Sequence, residues 1–183
     1  RYALAVEATP PPRAALLPHI WLSDEESRQG QRLLEQLPDK AGTPPIALHP
    51  YATHPDKAWK EAYWRQLVEL FESRGIPWIV IGRGSGMEGI PASRNFTNRT
   101  SLRETCALLK SSSLLITGDS GPMHLAGAVG TPVLALFGPT TEEWGFFSAG
   151  PKDRVFASQQ DCRPCQLHGQ RPWARNPACM QAI

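Results

Sequence analysis

No apolar run in these 183 residues approaches the ~20 that a membrane-crossing helix needs. Charge of one sign is also lacking: 19 Lys and Arg stand against 17 Asp and Glu, scattered along the chain. That balance leaves no basic footprint for nucleic acid, although a local basic surface for phosphates stays open. Cysteine is scarce, four residues with three of them after position 160. These are too few and too clustered for the disulfide framework of a secreted domain. No internal repeat is found, and no signal-peptide pattern opens the chain, so cytoplasm is the default expectation. What remains is ordinary globular material, 41% hydrophobic and 20% charged, long enough for one domain with a proper core. Proline alone is abundant. Its 18 residues are about double the usual share and punctuate the chain without forming a low-complexity tract.

The chain is organised around residues 113–140, SLLITGDSGPMHLAGAVGTPVLALFGPT. Leu114–Thr117 and Val133–Phe137 are unbroken apolar runs, which suit parallel strands buried on both faces. Between them Ser120 is placed as an N-cap, Pro122 has the φ of a first helical turn, and Gly130 stops a compact helix. Thr140 with Glu143 spells a capping box. In an open parallel sheet, ligands sit beyond the carboxyl ends of the strands. Asp119, Ser120, His124 and Thr140 fall there, although Ser120 and Thr140 taken singly read equally well as plain caps. A carboxylate, a hydroxyl and an imidazole on one turn suit a polyhydroxylated ligand.

Elsewhere the pattern repeats. Ser23-Asp24-Glu25-Glu26 opens a helix running to about Leu37, and Ile46–Leu48 is the first strand. A helix from Trp59 or Lys60 to Arg74 carries Trp64, Leu67, Val68 and Phe71 on one face, with Gly75 after it. Trp78–Gly82 is the next strand. Asn95–Asn98 is a short strand or turn, and Ser101 and Glu104 cap a helix to Lys110 with Leu102, Cys106 and Leu109 inward. Arg154–Ala157 is a last short strand. Gly84–Gly89 satisfies G-x-G-x-x-G, but Pro91 leaves no room for the helix that a dinucleotide fingerprint requires. The glycines there are read as a decoy, with Glu88 a candidate to hydrogen-bond a ribose.

DSGPMHLAGAVGTPVLALFGPT closely resembles the signature of glycosyltransferase family 9, the lipopolysaccharide heptosyltransferases. The resemblance extends over nearly the whole chain. It implies the GT-B architecture, two Rossmann-like domains facing across a cleft, and this chain is expected to be the C-terminal, donor-binding half. The expected fold is therefore α/β, an open parallel Rossmann-like sheet with helices on both faces. Residues 1–22, with Tyr2–Val6 as a helix end and Pro10–Pro12 extended, would be an interdomain linker region. Residues 23–183 would be the nucleotide-sugar-binding domain, with a cysteine-containing tail at 159–183.

Thr53, Lys57 and Trp59 match a family pattern in which the Thr and the Lys bind the donor diphosphate and the Trp follows two residues on. Lys57 alone would read as a solvated surface lysine, and Ala52 stands where relatives often carry a second hydroxyl. Asn98 stands where relatives often have Gly and is expected to keep the left-handed turn. Arg99 and Thr100 would flank the nucleotide base. Asp119 would take sugar hydroxyls, with Ser120, Gly121 and His124 shaping that pocket. The reaction implied is an inverting transfer of heptose from ADP-heptose to the lipopolysaccharide inner core, without a required cofactor. The catalytic base is expected in the N-terminal domain, which leaves this polypeptide inactive alone. Partners would be the ADP-sugar and the inner-core acceptor but no nucleic acid. The place implied is the cytoplasm, with peripheral association at the inner face of the inner membrane. Cys162, Cys165, His168 and Cys179 nominally make a zinc set, but His168 follows the pair too closely and Cys179 stands alone. A structural thiol cluster or oxidisable pair is the preferred reading. Rival readings are another GT-B nucleotide-sugar enzyme, a non-catalytic nucleotide-binding module and, third, a dehydrogenase.

Overall fold

Four short, almost continuously buried runs build the centre of the structure, a computed structural model that describes residues 9, 17–38, 42–141, 147–148, 150–161, 163–164 and 178–183. They are β1 (Ile46–His49), β2 (Trp78–Val80), β3 (Leu114–Gly118) and β4 (Val133–Phe137); an edge strand, β5 (Arg154–Ala157), completes the sheet. All pair in parallel, in the order β2-β1-β3-β4-β5. Side chains along a strand alternate between faces. Ala47, Ile79, Leu115, Val133 and Ala135 therefore enter one core, and Leu48, Val80, Ile116 and Leu136 enter the other.

The first core is roofed by α1 (Asp24–Leu34), α3 (Leu102–Lys110) and α4 (Gly121–Val129). Leu33, Leu34, Leu108, Leu109, Met123 and Ala126 pack there. The second is covered by α2 (Glu61–Ser73), through Trp64, Val68 and Phe71. Helices thus cover both faces, as expected. A short final helix, α5 (Ala178–Gln181), buries Cys179 and Met180.

Local chemistry fixes the helix starts. Ser23 and Glu26 form a reciprocal capping box at α1, and Ser101 and Glu104 form another at α3. Gly130 (φ 82°) ends α4 in the left-handed conformation, and Asn98 (φ 59°) adopts it without being glycine. Three expectations are corrected. Helix α1 stops at Leu34, short of Leu37. Leu102 is 69% exposed, because as the first residue of α3 it lies one turn before the buried face begins. Ser120 occupies the N-cap position of α4 but makes no capping hydrogen bond. The expected readings of Tyr2–Val6, Pro10–Pro12, Glu143, Cys162, Cys165 and His168 lie outside the described residues.

Candidate functional site

The sheet order reverses direction between β1 and β3, and in an open parallel sheet that point opens a crevice beyond the strand ends. Strand β1 delivers His49 there, and β3 delivers Thr117 and Gly118. His49 Nδ1 lies 3.1 Å from Thr117 Oγ1 and 3.2 Å from Ser120 Oγ, and the two hydroxyls are 2.9 Å apart. This triangle draws the Ser120 side chain away from the helix end it was expected to cap. Burial disfavours the charged imidazole and lowers the His49 pKa from 6.5 to about 4, so the ring is neutral at physiological pH.

Beside the triangle, Lys57 Nζ donates to Asp119 Oδ2 at 2.5 Å. Lys57 ends a single 3-10 turn, Pro55–Lys57. Thr140, itself buried, donates its hydroxyl to the same carboxylate oxygen at 3.1 Å. The Thr140 loop is fastened from behind by the Arg163 guanidinium. It donates to the carbonyls of Thr140 (2.8 Å), Ser158 (2.5 Å) and Gly138. Thr140 is therefore a partner of Asp119 and no simple cap.

A cleft of about 410 Å³ opens at this edge, lined by Thr53, Thr100, Ser120 and Gly121 of the expected set. Lys57 and Asp119 pair beside it and are not among its lining residues. His124 is exposed on α4 and does not line it either. Arg99 donates to the carbonyls of Ala92 and Asn95 at 2.8 and 3.0 Å, which commits it to its own loop. Glu88 sits in a separate groove with Arg65 and Glu72, away from the ribose role considered for it.

His49, Tyr51, Arg83 and Leu102 line the cleft and were not singled out for it by the sequence. The signal available for His49 and Arg83 was their place at the carboxyl end of β1 and shortly after β2. Gly82 and Gly84 also gain a reason. A Cβ at Gly82 would lie 2.8 Å from His49 Nε2, and one at Gly84 would lie 2.8 Å from Tyr51 Cε1. The Asn98 side chain holds Gly84 by both backbone groups, at 3.2 and 2.8 Å. No helix opens within Gly84–Gly89; Gly82 and Gly84 make room for the rings of His49 and Tyr51.

Among the described residues, no group of three or more His, Cys, Asp or Glu is arranged to hold a metal ion. Cys179, the one described member of the tail set, is buried on α5.

The sequence profile of Glycosyltransferase family 9 (heptosyltransferase) matches residues 2–172. This chain belongs to glycosyltransferase family 9. Among curated family 9 relatives, lipopolysaccharide heptosyltransferase 1 of Pseudomonas aeruginosa is 34% identical over 145 residues, 72% of this chain and 39% of its own length. The chain spans less than half the length of the curated relatives it matches. Escherichia coli ADP-heptose lipopolysaccharide heptosyltransferase II superposes with a TM-score of 0.65 at 22% identity, over 81% of this chain and 50% of that one. Heptosyltransferase WaaC of Escherichia coli, solved with ADP-2-deoxy-2-fluoro heptose, gives 0.52 at 26% identity, over 69% and 40%. The iron-containing dodecameric glycosyltransferase TibC of enterotoxigenic Escherichia coli gives 0.56 at 24%, over 70% and 35%. These likenesses establish the α/β fold.

Proposed function

We propose that this chain is the donor-binding half of an inverting glycosyltransferase that moves heptose from ADP-heptose to the lipopolysaccharide inner core. The observation that carries the reading is the switch-point crevice. There Thr53, Thr100, Ser120 and Gly121 share one cleft, beside the Lys57–Asp119 pair, in a chain of this family. A relative at 26% identity, WaaC, binds a fluorinated ADP-heptose, which supports ADP-heptose as the donor here.

In this reading Thr53 and Lys57 neutralise the diphosphate as it leaves, an electrostatic role in a partly enclosed site. Thr100 lies toward the base. Asp119 takes sugar hydroxyls, held by Thr140, while Ser120 and Gly121 shape the sugar pocket. The acceptor hydroxyl is deprotonated by an acidic residue of the N-terminal domain of the longer protein. The reading requires no metal, and it puts the enzyme in the cytoplasm at the inner face of the inner membrane. No helix among the described residues is long and apolar enough to cross a membrane.

Calorimetric titration of the chain with ADP, UDP and NAD tests the proposal. ADP is expected to bind selectively, and Lys57→Ala to weaken it about 10-fold, since a charge-assisted hydrogen bond contributes about 1.5–3 kcal/mol and Lys57 must first leave Asp119. Asp119→Ala is expected to weaken an ADP-sugar but not ADP. NAD binding without ADP binding would overturn the reading, as would heptose transfer by these 183 residues alone overturn the division of labour.

A further inference from the structure

A second cleft, of about 450 Å³, lies on the other side of Tyr51, which lines both. Its walls are the Pro55–Lys57 turn, the start of α2 and the loop after β2. Two buried polar groups border it without hydrogen-bond partners among the described residues. Asp56 is 4% exposed, and the His54 imidazole is close by, with Nδ1 3.7 Å from Oδ2. Trp64 is 2% exposed, and its indole N–H meets no acceptor. Buried polar groups are seldom left so, and an unmet pair at a cleft marks a place that something else completes.

The third component is aromatic. Trp59 is held by a hydrogen bond from Nε1 to the Ile183 carbonyl at 3.1 Å, and its ring stands edge-on to Trp64 with centroids 5.0 Å apart. The charges at the rim are already engaged. Glu61 accepts from Arg65 at 3.1 and 2.5 Å, and Lys60 lies over the Tyr63 ring.

The cleft therefore offers a carboxylate in need of donors, an indole donor in need of an acceptor, and an aromatic wall. A phosphate would be repelled by Asp56. An ammonium group would leave the Trp64 N–H unanswered, and an aliphatic ligand would leave both groups unmet. A pyranose ring answers all three, with hydroxyl hydrogens for Asp56, a hydroxyl oxygen for Trp64 and a C–H face for Trp59. We propose that this cleft is a carbohydrate subsite, separate from the donor cleft, that grips one pyranose ring between Asp56, Trp64 and Trp59. The inference rests on this cleft alone.

The test is an NMR titration of the isotopically labelled chain with methyl α-D-mannopyranoside, methyl α-D-glucopyranoside and glycerol, following the indole N–H signals. The expected result is a saturable shift of the Trp64 indole by at least one glycoside, with a dissociation constant on the order of 1 mM. Glycerol at matched hydroxyl concentration should leave it unmoved. Asp56→Asn, which keeps the shape and removes the charge, should weaken glycoside binding about tenfold and leave ADP binding unchanged. A Trp64 signal unmoved by both glycosides up to about 100 mM, an equal response to glycerol, or an unaltered response in Asp56→Asn would overturn the proposal. ADP titrated into the same sample and read at His49 separates the two ideas: its failure removes the donor reading and leaves the subsite standing.

Discussion

Acid should destabilise this protein through His49. The imidazole is held near a pKa of about 4 in the folded chain against 6.5 when free, and burial is the cause. Above pH 6.5 both states are neutral at this residue and its contribution to stability is complete. As the pH falls through 6.5, the unfolded chain takes a proton that the folded chain refuses, so stability falls with pH. The gap of about 2.5, at about 1.36 kcal/mol for each tenfold change, limits the loss to about 3.4 kcal/mol, and about 2 kcal/mol is gone by pH 5. The assay is urea unfolding at pH 8 and pH 5, with His49→Asn as the reference. Asparagine places a hydrogen-bonding group near the position of Nδ1, facing Thr117 and Ser120, and does not titrate. With a denaturant slope of about 2 kcal/mol/M, the wild-type midpoint should fall by about 1 M more than that of the variant. Carboxylates common to both proteins cancel in the comparison. Parallel losses in the two would refute the reasoning, because the imidazole would then be free to protonate in place.

Gly84→Ala should destabilise by about 2 kcal/mol in thermal or urea unfolding, because the Tyr51 ring already fills the space a methyl needs. Arg163→Ala should cost about 2–3 kcal/mol and speed amide exchange across Gly138–Thr140, since one guanidinium bridges the carbonyls of Gly138, Thr140 and Ser158. Arg163→Lys should restore little of it, a single ammonium being unable to span three acceptors. Ser101→Ala removes one half of the α3 capping box and should cost about 1 kcal/mol by the same measurements.

The parts of this fold that the sequence discloses are those set by neighbours in the chain. Ile46–His49 and Val133–Phe137 read as buried strands because their apolar runs are short and bounded by Gly and Pro. The Ser23–Glu26 and Ser101–Glu104 boxes are legible because both partners lie within one turn. What escapes is whatever another strand contributes. Ser120 looks like a cap until His49, 71 residues earlier, reaches its hydroxyl. Lys57 and Asp119 were read as two separate binding groups, and nothing local reveals that 62 residues of chain bring them into contact. The G-x-G-x-x-G spacing was set aside because of Pro91, yet the need for glycine at 82 and 84 comes from the rings of His49, at the end of β1, and Tyr51, just after it. Leu102 failed for a different reason: helical phase says which face a residue takes, but not whether a neighbour covers the first turn.

The Lys57–Asp119 contact also bears on how a donor site empties. Side chains left 23% and 13% exposed are reachable by a ligand, yet each already satisfies the other in its absence. On the donor reading, an intact nucleotide sugar replaces that contact on both sides, with phosphate for Lys57 and hydroxyls for Asp119. The spent nucleotide offers only the phosphate and strands the carboxylate on Thr140. Closing the ion pair again would then compete directly with the leaving product, and on that reading the resting contact would serve as a return spring that helps to expel the used carrier.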